Sequence, residues 1–231
     1  MFAHDGTSSH GWHYYGPAGQ QQKDTEKQMK WLEDEFARGD TTDKIIIGMH
    51  IPPGIDGYAN THFWDSTLIY KNMPIQNAFL QLMAKHNNRI VGIVSSHTHM
   101  DGLRKMMHKD STNGELVYTD LIVSIPGITP GHGNNPGVKL FSYDAATFEW
   151  NNFTTFYYPF WPTHQMSGAW KDDYFSYNEV FKGDTTKTLS DRVSRLDEDI
   201  LFEKVMKIYK AKGQDADSME VRLTLEVRPL E

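Results

Sequence analysis

Ile90-Val91-Gly92-Ile93-Val94-Ser95-Ser96-His97-Thr98-His99-Met100-Asp101 joins an apolar run to two histidines one residue apart. The run reads as a buried strand, and a spacing of two lets both imidazoles leave one side of an extended backbone. A second apolar run, Ile45-Ile46-Ile47-Gly48, stands just before His50 and is followed by Ile51-Pro52-Pro53-Gly54. In open α/β sheets, ligands gather beyond the strand ends. Histidines at two such ends therefore mark a candidate metal site, with hydrolysis at a metal centre as the leading chemistry.

Working outward, Thr25-Glu26-Lys27-Gln28 has the capping-box form and is read as opening a helix that ends near Gly39, with Met29, Leu32 and Phe36 on one face. The isoleucines of 44–48 read as a strand buried on both faces. A loop over 51–73 leads to a helix from about Ile75 to His86, and the strand toward His97 starts at Arg89. Helix, strand, helix, strand is α/β wiring. Leu116–Ile125, Val138–Tyr143 and Phe148–Phe156 are further strands, separated by turns rich in Pro and Gly. From Tyr157 the chain turns aromatic and irregular (Phe160, Trp161, Trp170, Tyr174, Phe175, Tyr177). A helix is then expected over about Ser190–Lys212, and an alternating strand over Val221–Val227.

Composition narrows the function. The 231 residues are 39% hydrophobic and 13% aromatic, enough for a core. A net charge of −7 argues against nucleic acid as a partner, which would want a basic face. No run approaches the ~18 apolar residues of a membrane span, and the polar start, Met1 to Gly19, has no signal-peptide core. With no cysteine, any metal must be held by histidine nitrogen and carboxylate oxygen, which suits zinc, manganese or iron. The sequon Asn152-Phe153-Thr154 is weak evidence for secretion. A lone histidine is more often a packed or surface residue, so His10, His13, His86 and His164 keep that reading. His50, His97 and His99 differ because all three stand at strand ends.

Gly48-Met49-His50-Ile51-Pro52-Pro53-Gly54 and Ser96-His97-Thr98-His99-Met100-Asp101 resemble the last two metal motifs of the calcineurin-like metallophosphoesterases. Within that superfamily they are most similar to the acid sphingomyelinase-like phosphodiesterases. That family follows the paired histidines with a Pro/Asn/Gly-rich segment, here Ser124-Ile125-Pro126-Gly127-Ile128-Thr129-Pro130 and Asn134-Asn135-Pro136-Gly137. Gln28-Met29-Lys30-Trp31-Leu32 resembles its preceding helix, and Val138–Asp144 its last core strand. Purple acid phosphatases share the paired histidines but continue with Tyr-Glu-Arg, where this chain has Met100-Asp101-Gly102.

The resemblance implies part of an α/β/β/α sandwich and a site for two divalent ions, zinc first, with manganese or iron as alternatives. His50 and His97 would bind one ion and His99 the other, and a hydroxide activated by both would attack phosphorus. The implied substrate is a phosphodiester small molecule or phospholipid head group, in a secreted or lysosomal setting. Two departures matter. Ser96 stands where the family usually has glycine. The family's Asp-x-His and Asn-His motifs, from its first half, have no counterpart here. Gly39-Asp40-Thr41-Thr42-Asp43 fits the remaining Gly-Asp-x-x-Asp pattern by letter, but it follows a helix, so Asp40 and Asp43 are read as loop residues.

Residues 1–157 are accordingly expected to be the C-terminal half of a metallophosphoesterase catalytic domain, its first half missing. Residues 158–231 form an aromatic-rich, largely helical extension. An uncovered sheet edge would then call for an N-terminal half or a homodimer partner. The competing expectation is a non-catalytic remnant or binding module that keeps half of the fold.

Overall fold

The computed structural model describes residues 19–161 and 173–231. The chain's glycine-rich start with His10 and His13, and His164 and Trp170 farther on, lie outside the described residues. The protein is mixed α/β. α1 (Gln20–Ala37) precedes β1 (Ile45–Gly48), and two small ribbons follow, β2 (Ile55–Asp56) with β3 (Thr61–His62) and β4 (Ile69–Tyr70) with β5 (Met73–Pro74). Then come α2 (Ile75–Lys85), β6 (Ile90–Ser95), β7 (Gly102–Lys109), β8 (Leu116–Ser124), β9 (Gly137–Tyr143) and β10 (Trp150–Tyr157). The chain finishes with β11 (Tyr174–Ser176), α3 (Tyr177–Phe181), α4 (Leu189–Ser194), α5 (Glu198–Met206), α6 (Ser218–Thr224) and β12 (Glu226–Val227).

Five strands form one sheet in the order β1-β6-β8-β7-β12, and β11-β10-β9 form a second, antiparallel one. β1, β6 and β8 run parallel, with α2 as the crossover from β1 to β6. Period-two alternation sorts the side chains of β8. Ile122 joins Met29, Phe36, Phe79 and Met83 of α1 and α2, while Leu121 and Val123 join Trp150 and Phe153 of β10. The first sheet is thus covered by helices on one face and by the second sheet on the other. Gly92 lets the two sheets approach, since a β-carbon there would lie 2.3 Å from the Trp150 indole.

Several expectations change. Thr25 does not cap α1; it is fully buried inside a helix that begins at Gln20, behind Gly19 in the left-handed conformation. A complete capping box occurs instead at Ser176 and Glu179, opening α3. β1 is not covered on both faces. It lies at the sheet edge, pairs only with β6 among the described residues, and leaves Ile46 61% exposed. β7 was not anticipated, because Arg104 and Lys105 break its apolar pattern although both are buried.

The long helix over 190–212 is broken. Asp197 caps α5 by accepting from the Ile200 N–H, which restarts the helix after α4. Val221–Val227 is mostly helix, because Asp217 caps α6 and Val221, Thr224 and Leu225 bury at helical spacing. Only Glu226–Val227 is strand, pairing with β7, and β11 joins β10, so the segment after Tyr157 is sewn into both sheets.

α4 is docked through Asp120 on β8, whose Oδ1 accepts from Ser190 Oγ at 2.8 Å and from the Leu121 N–H at 2.7 Å. Burial pushes this carboxyl up from 3.8 to about 6. The folded chain therefore holds the proton more tightly than the unfolded chain, and stability falls as pH rises through the window from 3.8 to about 6. Asp120→Asn keeps the accepting oxygen and removes the titration. Urea midpoints across pH should show the variant gaining on wild type through that window, with a constant difference above it.

Candidate metal centre

The parallel ladder of β1 and β6 continues past the strand ends. The Met49 N–H donates to Val94 O at 3.0 Å, and the Ser96 N–H donates to His50 O at 3.1 Å. Those bonds bring His50 and His97 side by side. His50 Nε2 lies 3.2 Å from His97 Nδ1, with ring centroids 5.0 Å apart, and His50 Nδ1 lies 3.0 Å from Ser96 Oγ.

His99 goes elsewhere. The backbone between the histidines is not extended, as φ is 77° at His97 and 62° at His99. Two left-handed residues turn the rings apart, which overturns the expectation that both leave one side of a strand. His99 Nδ1 lies 3.3 Å from Thr129 Oγ1, and its ring centroid is 6.3 Å from that of His132. A glycine is required opposite it, because a β-carbon at Gly127 would lie 2.6 Å from the ring. Burial, helped by His50, lowers the His97 pKa, and burial, helped by His132, lowers that of His99. Both shifts favour neutral imidazole, the form that ligates metal.

Asp101, the last residue of the histidine motif, is structural. It is fully buried, contacts Lys139 Nζ of β9 at 2.5 Å and accepts from Thr155 Oγ1 of β10 at 2.6 Å. Lys139 also sits 3.8 Å over the Phe153 ring. Burial pushes the Asp101 carboxyl up and the Lys139 ammonium down, against the attraction between them. The pair fastens the end of the histidine turn to the second sheet.

All three histidines line one cavity of about 640 Å³, shared with Asp56, Tyr58, Phe63, His132, Lys210 and Glu220. Phe63 meets the His97 ring edge-on at 5.7 Å. Sequence reasoning missed the residues from the chain's far end. Lys210 is carried to the cavity because its carbonyl accepts the Asn135 N–H and Asn135 Nδ2 donates to Ala211 O. The Asn134-Asn135 segment therefore anchors the C-terminal loop. His132 had one visible signal, its place between two glycines in the segment already singled out; it adopts φ 57°. Asp40 and Asp43 lie in an exposed turn closed by their own side chains, and neither lines the cavity.

The donor set fits a metal in part. Two nitrogens on one tetrahedral zinc stand roughly 3.3 Å apart, given bonds of about 2.0–2.1 Å, close to the His50–His97 separation. Among the described residues, however, no three histidine or carboxylate side chains come together as a metal-holding group.

No family profile matches the chain. Individual relatives do, and they are phosphodiesterases. Acid sphingomyelinase-like phosphodiesterase 3b of Mus musculus is 26% identical over 161 residues, covering 65% of this chain and 33% of that protein. Cyclic GMP-AMP phosphodiesterase SMPDL3A of Bos taurus is 29% identical over 153 residues, 62% of this chain and 32% of the relative. Sphingomyelinase phosphodiesterase D of Dictyostelium discoideum is 25% identical over 131 residues, 56% and 28%. The chain is thus a partial relative of the acid sphingomyelinase-like phosphodiesterases, as its motifs suggested, and spans about a third of the length of the curated relatives it matches.

The Asp101–Lys139 contact is open to a direct test. Lys139→Ala leaves a carboxylate buried without its cation and should lower stability by about 3–5 kcal/mol in urea unfolding. Replacing both residues, with Lys139→Met and Asp101→Leu, should recover most of that loss.

Proposed function

We propose that this chain is the histidine-bearing part of a metal-dependent phosphodiesterase, acting on a phosphodiester small molecule or a phospholipid head group. The observation that carries the reading is the approach of His50 Nε2 to His97 Nδ1 at 3.2 Å, on a cavity that His99 also lines. His50 and His97 would hold one divalent ion and His99 a second, with zinc best suited to the nitrogen donors and manganese or iron as alternatives. Such ions, when bound, supply activation of water and neutralisation of charge on the phosphoryl oxygens.

The chain's own residues do the rest. Phe63 backs the His97 ring and keeps water from that side, and Lys210 brings a cation to the wall where an anionic phosphate would sit. The relatives' names support both sphingomyelin-type and cyclic dinucleotide phosphodiesters as substrates. A secreted or lysosomal setting rests on the family resemblance alone.

The site is incomplete in this reading, because the carboxylates of the family's first half have no counterpart here. The place of β1 at the sheet edge among the described residues, with Ile46 exposed, supports completion by an N-terminal half or by a second copy of the chain. The second reading, a non-catalytic binding module, is favoured by the lack of any three-ligand group among the described residues.

Calorimetric zinc titration and hydrolysis of bis(p-nitrophenyl) phosphate separate the two. The metal-dependent reading expects zinc uptake, with His97→Ala abolishing uptake and any turnover while leaving the circular dichroism spectrum unchanged. Full zinc affinity and turnover in His97→Ala would sink the assignment.

A further inference from the structure

Ser96 stands where the resembling family has glycine, and its hydroxyl is not idle. Its Oγ lies 3.0 Å from His50 Nδ1, while its backbone N–H separately donates to His50 O at 3.1 Å. The two contacts have different jobs. The backbone bond joins the two strand ends and is open to any residue but proline at this position. The hydroxyl contact acts on the ring and needs serine or threonine.

We infer that Ser96 is a positioning residue, whose hydroxyl accepts the Nδ1 proton of His50 and so selects the tautomer with a bare Nε2 facing His97. A neutral imidazole carries one proton on two nitrogens, and the hydrogen bond made by one nitrogen decides the state of the other. His50 Nε2 is the atom 3.2 Å from His97 Nδ1. If Nε2 kept the proton, its lone pair would be lost to any ion between the rings. With Nδ1–H directed at Ser96, Nε2 can accept the Nδ1–H of His97 in the metal-free chain and offer its lone pair to a cation otherwise. Outer partners of this kind typically change metal affinity by about 10–100-fold. The effect of Ser96 on affinity rests on the metal site proposed above; its effect on the tautomer rests on the metal-free geometry alone.

The test reads both. At about pH 8, where ordinary imidazoles are neutral, ¹⁵N-resolved NMR of the metal-free chain should show His50 protonated at Nδ1. In Ser96→Ala and Ser96→Gly, which keep the backbone bond, the proton should move substantially to Nε2, and Ser96→Thr should restore the original state. Zinc titration should weaken about 10–100-fold in Ser96→Ala and recover in Ser96→Thr. An unchanged His50 tautomer in Ser96→Ala overturns the inference. If the wild-type chain takes up no zinc, the metal site fails, while the tautomer comparison still decides the role of Ser96.

Discussion

Between β6 and β7 the chain reverses direction while carrying two histidines at left-handed φ, and the buried Asp101–Lys139 contact fixes the far end of that reversal. Left-handed backbone at a non-glycine residue costs about 1–3 kcal/mol. Breaking a buried ion pair by removing one partner costs about 3–5 kcal/mol. That figure is the penalty for an orphaned buried charge rather than the net worth of the pair, so beside the strained turn the pair acts by fixing where the turn ends, a role that Thr155 and the Lys139–Phe153 contact share. Because Lys139 and Thr155 belong to the second sheet, the geometry of the histidines depends on how the two sheets meet. That meeting is set in turn by Gly92 beneath Trp150.

The legible parts of the fold were those in which one local rule decides the outcome. The apolar runs at 45–48 and 90–95 became parallel neighbours, and α2 fell on its periodic residues. What failed were patterns that fit two structures. Val221–Val227 alternates, but the same residues also bury at helical spacing once Asp217 caps the turn. Gly102–Lys109 was hidden because its two cations are buried, Lys105 Nζ by donating to Leu196 O and Arg104 Nη1 by donating to Ile55 O at 2.9 Å. Partners so distant in sequence leave no local trace. Three isoleucines in a row could not tell an edge strand from a central one, since coverage depends on what lies beside the strand.

At the site, the three histidines reach one cavity, yet their arrangement differs from what spacing implied. His50 and His97, forty-seven positions apart, are the ones in contact, while neighbours His97 and His99 diverge. A spacing of two is informative only for extended backbone, and positive φ at both residues removes that premise. Lys210 and Glu220 were illegible for another reason: an asparagine side chain in a distant loop carries Lys210 to the cavity.

Electrostatics then constrains what the cavity can accept. The chain carries −7 overall, so a phosphodiester gains nothing from the protein's general field. Attraction must be local. Lys210 lines the wall, and Arg104 sits 5.3 Å behind the Phe63 ring, buried and lowered from its ordinary pKa by that burial. Against them stand Asp56 and Glu220 on the same wall, the latter held by the Tyr209 hydroxyl at 3.0 Å. With Lys210 facing Asp56 and Glu220, the cavity lining supplies little net positive field, so in the proposed reading an anionic diester would be drawn in by ions held on the histidine nitrogens. The same balance would make the tautomer of His50 decisive in that reading, because a nitrogen that offers no lone pair cannot bring that charge to the site.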